Sequence, residues 1–600
     1  MEEFEQALER EDFYEKFEIP ETVDIPEVSE RDYDAETPQK LPVEGVVIEG
    51  VVPYPEHGIT QDEIQALIDR KFREERAIEL DINGFTERDL REIGARLRAI
   101  ADRGYTADME DMNEIVQLMQ EQEVKRGWLT IEQLDSIALS VTEYYRENGF
   151  ILATAFIPEQ EVSDGIIRLN VLEGRLGEVT VSDNEIFSEN TIARAFNGEL
   201  GEPVTEERIE SALRRINDLP GIRVRGSFSP GENVGETSLN LGVLDEKAWT
   251  SSVLMDNHGA EATGEARLFA TTEWLNIRNK GHRLLLGALR SEGPDSATYG
   301  LAEYELPVTR DGRGKVRASI SSNEFAVASL GTLEDIVGET NNFGVLGNYQ
   351  FVRGRTLNVS AQLGYTQKDV LFTVADLISL STDQKIEVLS VASDYTQLWD
   401  EQQLLLSGRF GIDQGHIISG EALDQSVDFT KLLLNANLLK RFSFDNWLTK
   451  DQSFVNFVAK LNGQYSEQFL SSVEQFSLGG PNAVRAFGVS DVSVDSGIYA
   501  GFELFFDLPV DPMQVLKIPL EPLRPFVFFD YGYGVARTAG GTANLDAVLK
   551  GYGMGVRINW QDKIIGNLIF ATPKSAKYEE SFSDAQGESR IYFDVIYQVH

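Results

Sequence analysis

The stretch Gly551-Tyr-Gly-Met-Gly-Val-Arg-Ile-Asn-Trp560 decides the fold class of this chain. Its large apolar side chains fall on every second residue, and glycine or polar residues fall between them. Successive side chains of an extended strand point to opposite faces, so the decamer predicts one apolar face and one small or polar face. About ten residues with this alternation are enough to cross a bilayer as a β-strand.

The same pattern covers the chain after Lys247, where roughly sixteen alternating segments are separated by turns of Gly, Asn, Asp and Ser. Aromatic residues such as Trp274 and Tyr533 end the apolar faces, which is typical of a membrane interface. The opposite faces carry charged residues such as Arg267 and Glu503, which suit a watery lumen. A water-soluble sandwich would alternate too, but these two features favour a membrane barrel of about sixteen antiparallel strands over residues 247–600.

Composition excludes several functions. A net charge of -45 without a basic stripe argues against nucleic acid as a partner. With no cysteine and five scattered histidines, neither a disulfide nor a metal site is expected, and no cofactor. We find no run of about 18 apolar residues, no Walker phosphate loop and no hydrolase motif, so neither a transmembrane helix nor an enzyme is expected. The chain opens without a basic and apolar leader, from which we expect that a signal peptide has been removed.

The first 246 residues have a different organisation. An acidic amphipathic stretch with Phe4, Leu8, Phe13 and Phe17 predicts a short helix, followed by a proline-containing linker that completes a segment over 1–40. Two α+β modules follow, over 41–174 and 175–246. Thr60 with Glu63 predicts a capping box in the first, and Thr130 with Gln133 predicts the start of a later helix. Residues 75–128 exceed what the module pattern needs and predict a helical insertion.

One loop of the barrel half combines unusual residues. Ser477-Leu-Gly-Gly-Pro-Asn-Ala-Val-Arg-Ala-Phe487 places Arg485 between apolar neighbours, in a loop of about 467–496. Downstream, Phe528-Phe-Asp530 offers a carboxylate beside Gly532 and Gly534 on the same strand face, which leaves room for a partner. The two charges can pair inside a barrel, since a buried guanidinium needs a carboxylate. Alternatively, Arg485 is exposed and Asp530 is solvated in the lumen.

Three motifs resemble one family. They are Tyr144-Tyr-Arg-x-x-Gly-Phe150 with Val171-x-Glu-Gly174, Asp256-Asn-x-Gly259 with Thr263-Gly-x-x-Arg267, and Val484-Arg-Ala-Phe487 with Phe528-x-Asp530. This set resembles the two-partner secretion transporters, the hemolysin- and hemagglutinin-exporting branch of the outer-membrane assembly superfamily, from about Val43 onward. The family has glycine where this chain has Ala486, which predicts strain if that position requires a positive φ.

The resemblance implies an outer-membrane transporter of a Gram-negative bacterium, with its two modules as periplasmic polypeptide-transport-associated (POTRA) domains. Its partners would be a large β-helical exoprotein, either an adhesin or a hemolysin, the outer-membrane bilayer, and the barrel assembly machinery during biogenesis. The exoprotein would cross the barrel without ATP. It further implies a salt bridge between Arg485 and Asp530.

The POTRA domains would bind an unfolded exoprotein by adding its strand to a sheet edge. Ile192, Phe196 and Phe228 would flank that groove, although each can equally pack the core of its own module. The N-terminal helix would plug the resting pore, or it is a solvated acidic tail. Two other functions share this architecture: an insertase for other barrels, and a passive porin that needs no arginine loop.

Overall fold

The computed structural model describes most of the chain. The described residues are 17–18, 40–80, 87–102, 109–124, 127–162, 165–293, 296–330, 333–374, 381–420, 425–445, 452–489, 491–506, 523–537, 544–560, 563–578 and 588–599. The predicted helix over residues 4–16 therefore lies outside the described part of the chain. Phe17, which the amphipathic pattern included in that helix, lies instead in a two-residue strand, β1 (Phe17–Glu18).

The first module is a small three-stranded sheet covered by helices. Its strands are β3 (Gly45–Glu49), β5 (Thr154–Phe156) and β6 (Ile166–Leu172) in the order β3-β6-β5, beside a short pair of β2 (Lys40–Leu41) and β4 (Leu129–Thr130). Helices α1 (Gln61–Leu80) and α4 (Ile131–Glu147) bury their apolar sides together with β3 and β6. The helix predicted to start at Thr130 is confirmed, and its start forms a capping box, because the Thr130 side chain accepts from the Gln133 amide and the Gln133 side chain accepts from the Thr130 amide. At the predicted capping box, the Glu63 amide donates to the Thr60 hydroxyl over 3.3 Å.

Two further helices lie between α1 and β4. Helices α2 (Glu87–Ala101) and α3 (Met109–Val124) contact each other, and several of their apolar side chains face outward. Leu90 and Met112, for instance, are 55% and 51% exposed. Helix α1 continues to Leu80, so the additional helical segment begins as an extension of a core helix.

The second module has a four-stranded sheet in the order β1-β8-β9-β7, with β7 (Arg175–Ser182), β8 (Ile222–Pro230) and β9 (Glu236–Glu246). Helices α5 (Glu189–Ala193) and α6 (Glu206–Asn217) cover one face. Ser188 caps α5 by accepting from the Thr191 amide, as a serine before a helix does. The N-terminal strand β1 runs parallel to β8, with Phe17 beside Gly226.

Sixteen strands, of which the first begins at Trp249, form a closed barrel, which confirms the predicted strand number and closure. Every neighbouring pair is antiparallel, and the last strand pairs with the first. The strands are β10 (Trp249–Asp256), β11 (Arg267–Ile277), β12 (His282–Ser291), β13 (Ala297–Pro307), β14 (Gly314–Leu330), β15 (Leu333–Arg353), β16 (Leu357–Val374), β17 (Thr382–Trp399), β18 (Leu404–Ser419), β19 (Asp428–Asp445), β20 (Gln452–Tyr465), β23 (Ser496–Phe506), β24 (Arg524–Arg537), β25 (Asn544–Trp560), β26 (Ile564–Tyr578) and β27 (Arg590–Val599).

The alternation along the strands separates an outer from an inner face. Leu363 and Met554 point outward and are 59% and 61% exposed, as apolar side chains that face lipid must be. On the same strand as Leu363, Gln362 points inward and donates to Asp394 over 2.7 Å. Among the described residues, no helix is both long and apolar enough to cross a bilayer.

The second module is attached to the near end of the barrel. Arg353, the last residue of β15, donates to both carboxylate oxygens of Asp218 at the end of α6, each over 2.6 Å. The turn between β11 and β12 adds two bonds, because Asn276 donates to Ile186 O and Thr191 donates to Asn279 O. These contacts hold the module beside the barrel entrance.

Candidate functional site

The loop between β20 and β23 folds back into the barrel. Strand β10 starts next to the second module, so loops that follow odd-numbered strands of the sixteen, including this one after the eleventh, lie at the far end. Within the loop, β21 (Phe476–Ser477) and β22 (Ser493–Val494) form a short antiparallel pair. Gly480 has a φ of +112°, which favours glycine, and its amide donates to Phe487 O over 2.9 Å.

The apolar side chains of the loop pack against a glycine-lined wall. Leu478, Val484 and Phe487 are 0% exposed. A Cβ atom at Gly532 would lie 2.9 Å from Val484 Cγ2, and one at Gly534 would lie 2.9 Å from Leu478 Cδ1. These distances are too short for a side chain at either position. The two glycines therefore provide the space in which the loop sits.

Arg485 lies at the centre of this packed region and is 3% exposed. Its Nε donates to Asp530 Oδ2 over 2.9 Å, and its Nη2 donates to Asp530 Oδ1 over 2.8 Å. Its backbone amide also donates to Asp530 Oδ2, over 3.1 Å. Such a two-pronged pair matches the planar guanidinium to the carboxylate and adds direction as well as energy.

Further groups complete the surroundings of Arg485. Its Nη1 donates to Glu503 Oε1 on β23 over 2.7 Å, and its guanidinium carbon lies 3.6 Å from the centre of the Phe528 ring. Glu503 also accepts from Lys460 over 3.0 Å, and Tyr499 donates to Asp530 over 3.1 Å. The buried guanidinium and the two buried carboxylates therefore neutralise one another together with the partly exposed ammonium of Lys460, as buried charges require.

The strain that a positive φ would cause at Ala486 does not arise. Ala486 is described, and its φ lies outside the positive region that glycine favours. The side chain is 0% exposed, and a Cβ atom at Gly551 would lie 3.0 Å from the Ala486 Cβ. The wall strand thus accommodates the extra methyl group by carrying glycine opposite it.

A second ionic contact ties the same loop to other strands. Glu474 is 2% exposed and accepts from Lys368 on β16 and Lys431 on β19, over 2.6 Å each. The loop is therefore attached to the barrel wall at β16 and β19 as well as at β23 and β24. Sequence reasoning missed Glu474 and the bond between Glu503 and Arg485. The partners are 106 and 43 positions from Glu474 and 18 positions from Glu503, and local patterns do not reveal such pairings.

The three apolar side chains proposed for exoprotein binding in the second module are buried. Ile192 and Phe196 are 0% exposed, and Phe228 is 7% exposed. All three belong to the hydrophobic core of this module. In this conformation the three side chains pack the core of the module.

Comparisons with known proteins agree with this architecture. A family model described as haemolysin secretion/activation protein ShlB/FhaC/HecB matches residues 235–558, and one described as POTRA domain, ShlB-type, matches 98–174. The chain is 26% identical over 415 residues to the heme/hemopexin transporter protein HuxB of Haemophilus influenzae, covering 68% of this chain and 70% of that protein. It is 24% identical over 384 residues to the outer membrane transporter CdiB of Dickeya dadantii, covering 62% and 66%.

A solved structure gives the same fold. CdiB from Escherichia coli superposes with a TM-score of 0.66 at 18% identity, over 95% of this chain and 93% of that one. The family model covers more than half of the 600 residues, in a region that contains the inward loop and the barrel strands from β10 to most of β25. The chain belongs to the haemolysin secretion/activation protein family, ShlB/FhaC/HecB.

Proposed function

We propose that this chain exports one large, β-helical exoprotein across the outer membrane of a Gram-negative bacterium, through the lumen of its barrel and without ATP. The observation that carries the proposal is the buried ionic attachment of the loop inside the barrel. A passive porin has no need for a loop that is held in place by four hydrogen bonds donated by Arg485. A transporter that must seal its lumen at rest and open it for a polypeptide needs such a loop.

The inner surface suits passage of an extended chain. Polar and charged side chains such as Gln362, Asp394, Arg317 and Glu305 line it, and several already bond to one another. An unfolded polypeptide carries unpaired backbone groups that need water or polar partners. Passage then requires displacement of the loop, and folding of the exoprotein outside prevents its return.

The modules would receive the exoprotein in the periplasm by strand addition. In the second module, β8 pairs with β1 at Gly226 and Ser227, so this part of the strand is already occupied. Strand β7 is the opposite edge of the sheet. At its start Arg175 forms an isolated bridge with Pro203, and Leu176 exchanges backbone hydrogen bonds with Gly201 and Glu202, so an added strand would pair with the later part of β7. We therefore assign the exoprotein edge to β7 rather than to the strand of Phe228.

The outer face implies two further partners. Side chains such as Leu363 and Met554 face the lipid of the outer membrane. Insertion of this barrel during biogenesis is assigned to the barrel assembly machinery.

Deletion of the gene tests the proposal. We expect a large exoprotein encoded beside it to remain in the periplasm and to return to the medium when the wild-type chain is supplied. An insertase would instead deplete other barrels of the outer membrane, and a porin would change the uptake of small solutes. Normal secretion in the deletion strain, together with either of these effects, would reject export as the function.

A further inference from the structure

The turn that follows the first barrel strand contains a compact motif that lies outside the inward loop and its partners. It runs from Asp256 to Arg267 and includes Asn257, Gly259 and Gly264. Because β10 starts beside the periplasmic module, this turn lies at the extracellular end. There it borders the seam at which β27 closes the barrel on β10.

This seam has the shortest pairing among the described barrel strands. β10 and β27 pair over six residues, from Ser251 with Val599 to Asp256 with Asp594. The next shortest pairs, such as β12 with β13 and β26 with β27, contain eight. Fewer ladder hydrogen bonds mean a lower free energy of local opening, so the seam is the pair of strands that separates most readily.

Asn257 extends this short pairing with its side chain. Its Nδ2 donates to Ile591 O over 2.7 Å, and its Oδ1 accepts from the Phe593 amide over 2.8 Å. Its own amide donates to Phe593 O over 3.3 Å. The side-chain amide therefore bonds to the backbone of β27 as a neighbouring strand would, beyond the point where the ladder of β10 ends.

The rest of the motif holds Asn257 in place. Asp256, which is 1% exposed, accepts from both Nε and Nη2 of Arg267, over 2.8 and 3.1 Å, and from the His258 amide over 2.9 Å. A Cβ atom at Gly259 would overlap the carbonyl oxygen of Gly264. Gly264 itself has a φ of +93°, which disfavours any other residue. The compact turn thus fixes the direction in which the Asn257 side chain points.

The seam is also connected to the inward loop. The ring of Tyr592 on β27 packs edge-on against His258, with ring centres 5.6 Å apart. Its hydroxyl donates to the backbone oxygen of Phe487, over 3.4 Å. The turn, the last strand and the loop that carries Arg485 therefore form one continuous contact.

We propose that the turn Asp256–Arg267 is a clamp on the extracellular end of the β10–β27 seam, and that Asn257 is the positioning residue that sets how readily this seam opens. The clamp does not depend on which exoprotein is carried, so it can be tested on the purified chain alone. Opening of the seam beside Tyr592 would loosen the contact with Phe487 and so favour release of the inward loop.

Hydrogen exchange of the full chain in detergent measures the opening. Asn257→Ala removes both side-chain bonds, and each is worth about fivefold in an opening equilibrium, so we expect exchange of residues 588–599 to accelerate by about 10- to 30-fold. Asn257→Asp keeps the acceptor but sets a carboxylate oxygen against the Ile591 carbonyl oxygen, so exchange should accelerate at least as much as in Asn257→Ala. The matched control is Asn348→Ala, which removes a side-chain amide on β15 that donates to the Ser360 hydroxyl on β16. It should leave the exchange of residues 588–599 unchanged.

Two further measurements decide the interpretation. Exchange of β18 reports whether the barrel is intact, and it should be equal in all variants. The chain has no cysteine, so a disulfide between Ser252→Cys and Gln598→Cys, which face each other across the seam, can be formed without interference. It should return exchange in the Asn257→Ala background to the wild-type rate. Exchange of 588–599 in Asn257→Ala within twofold of wild type, or acceleration that the disulfide does not suppress, would overturn the clamp.

Discussion

Asp530→Asn tests the attachment of the inward loop most sharply. The carboxylate is 0% exposed and accepts three hydrogen bonds from Arg485 and one from Tyr499. An asparagine keeps one acceptor oxygen but turns a donor group toward the guanidinium. The positive charge of Arg485 then remains buried with Glu503 as its nearby carboxylate, which it already shares with Lys460.

The size of the effect follows from burial. Loss of one partner from a buried ion pair costs about 3–5 kcal/mol, because the other charge remains out of water without compensation. Glu503 offsets part of that cost, so we expect the lower end of the range. Each 1.4 kcal/mol is a tenfold change in an equilibrium, so the open population of the loop should rise by about two powers of ten. Glu503→Gln should have a smaller effect, since Glu503 accepts one bond from Arg485.

Hydrogen exchange of residues 478–489 in the full chain is the assay. We expect strong acceleration in Asp530→Asn and moderate acceleration in Glu503→Gln. The matched control is Arg317→Gln, which removes a charged lumen residue whose side chain is 37% exposed and paired with Glu305. Exchange of the loop in Asp530→Asn at the wild-type rate, or equal acceleration in Arg317→Gln, would refute the argument that this buried pair holds the loop.

Three further predictions concern other contacts. Glu474→Gln leaves its two lysine partners without that carboxylate, so exchange of residues 470–476 should accelerate by more than tenfold while 478–489 changes less. Arg353→Gln removes the two-pronged bond to Asp218, so the distribution of distances between spin labels on the second module and on the barrel should broaden. The same distribution should stay unchanged in Arg317→Gln. Burial raises the pKa of Glu173, whose carboxylate accepts from Tyr54, so the neutral form is favoured in the folded module. The stability that the neutral Glu173 gives to the folded module is fully present below the pKa of this group in the unfolded chain. It is lost as the pH rises through the pKa of Glu173 in the folded module. Helical circular dichroism during urea unfolding should therefore show a decline with pH that Glu173→Gln removes.

The barrel and part of its site were predictable because their signals are local. Alternation along each strand identifies the two faces, as in Gly551–Trp560, and the number of segments follows from the turns. The glycines beside Asp530 indicated space on the wall, and in the structure Val484 and Leu478 fill it. These features depend on neighbours within one strand or loop.

Other features depend on residues that are distant in sequence. Nothing near Glu474 indicates that strands β16 and β19 place lysines beside it, because that proximity arises only on closure of the barrel. The apolar pattern of Ile192 and Phe196 is the same whether they line a groove or belong to a core. In the structure both side chains are buried in the core with residues of β8 and β9. Whether Ala486 would be strained depended on its φ, which the residue type does not reveal because the backbone angle is set by the whole loop.

Cross-linking of a stalled exoprotein tests the central claim of passage through the lumen. A photoreactive residue is placed at Gln362, which faces the lumen, or at Leu363, which is 59% exposed on the outer face. The exoprotein is stalled by a fast-folding domain fused to its C-terminus. If the exoprotein passes through the lumen, position 362 should give cross-links and position 363 none. Cross-links from 363 alone would contradict passage through the barrel.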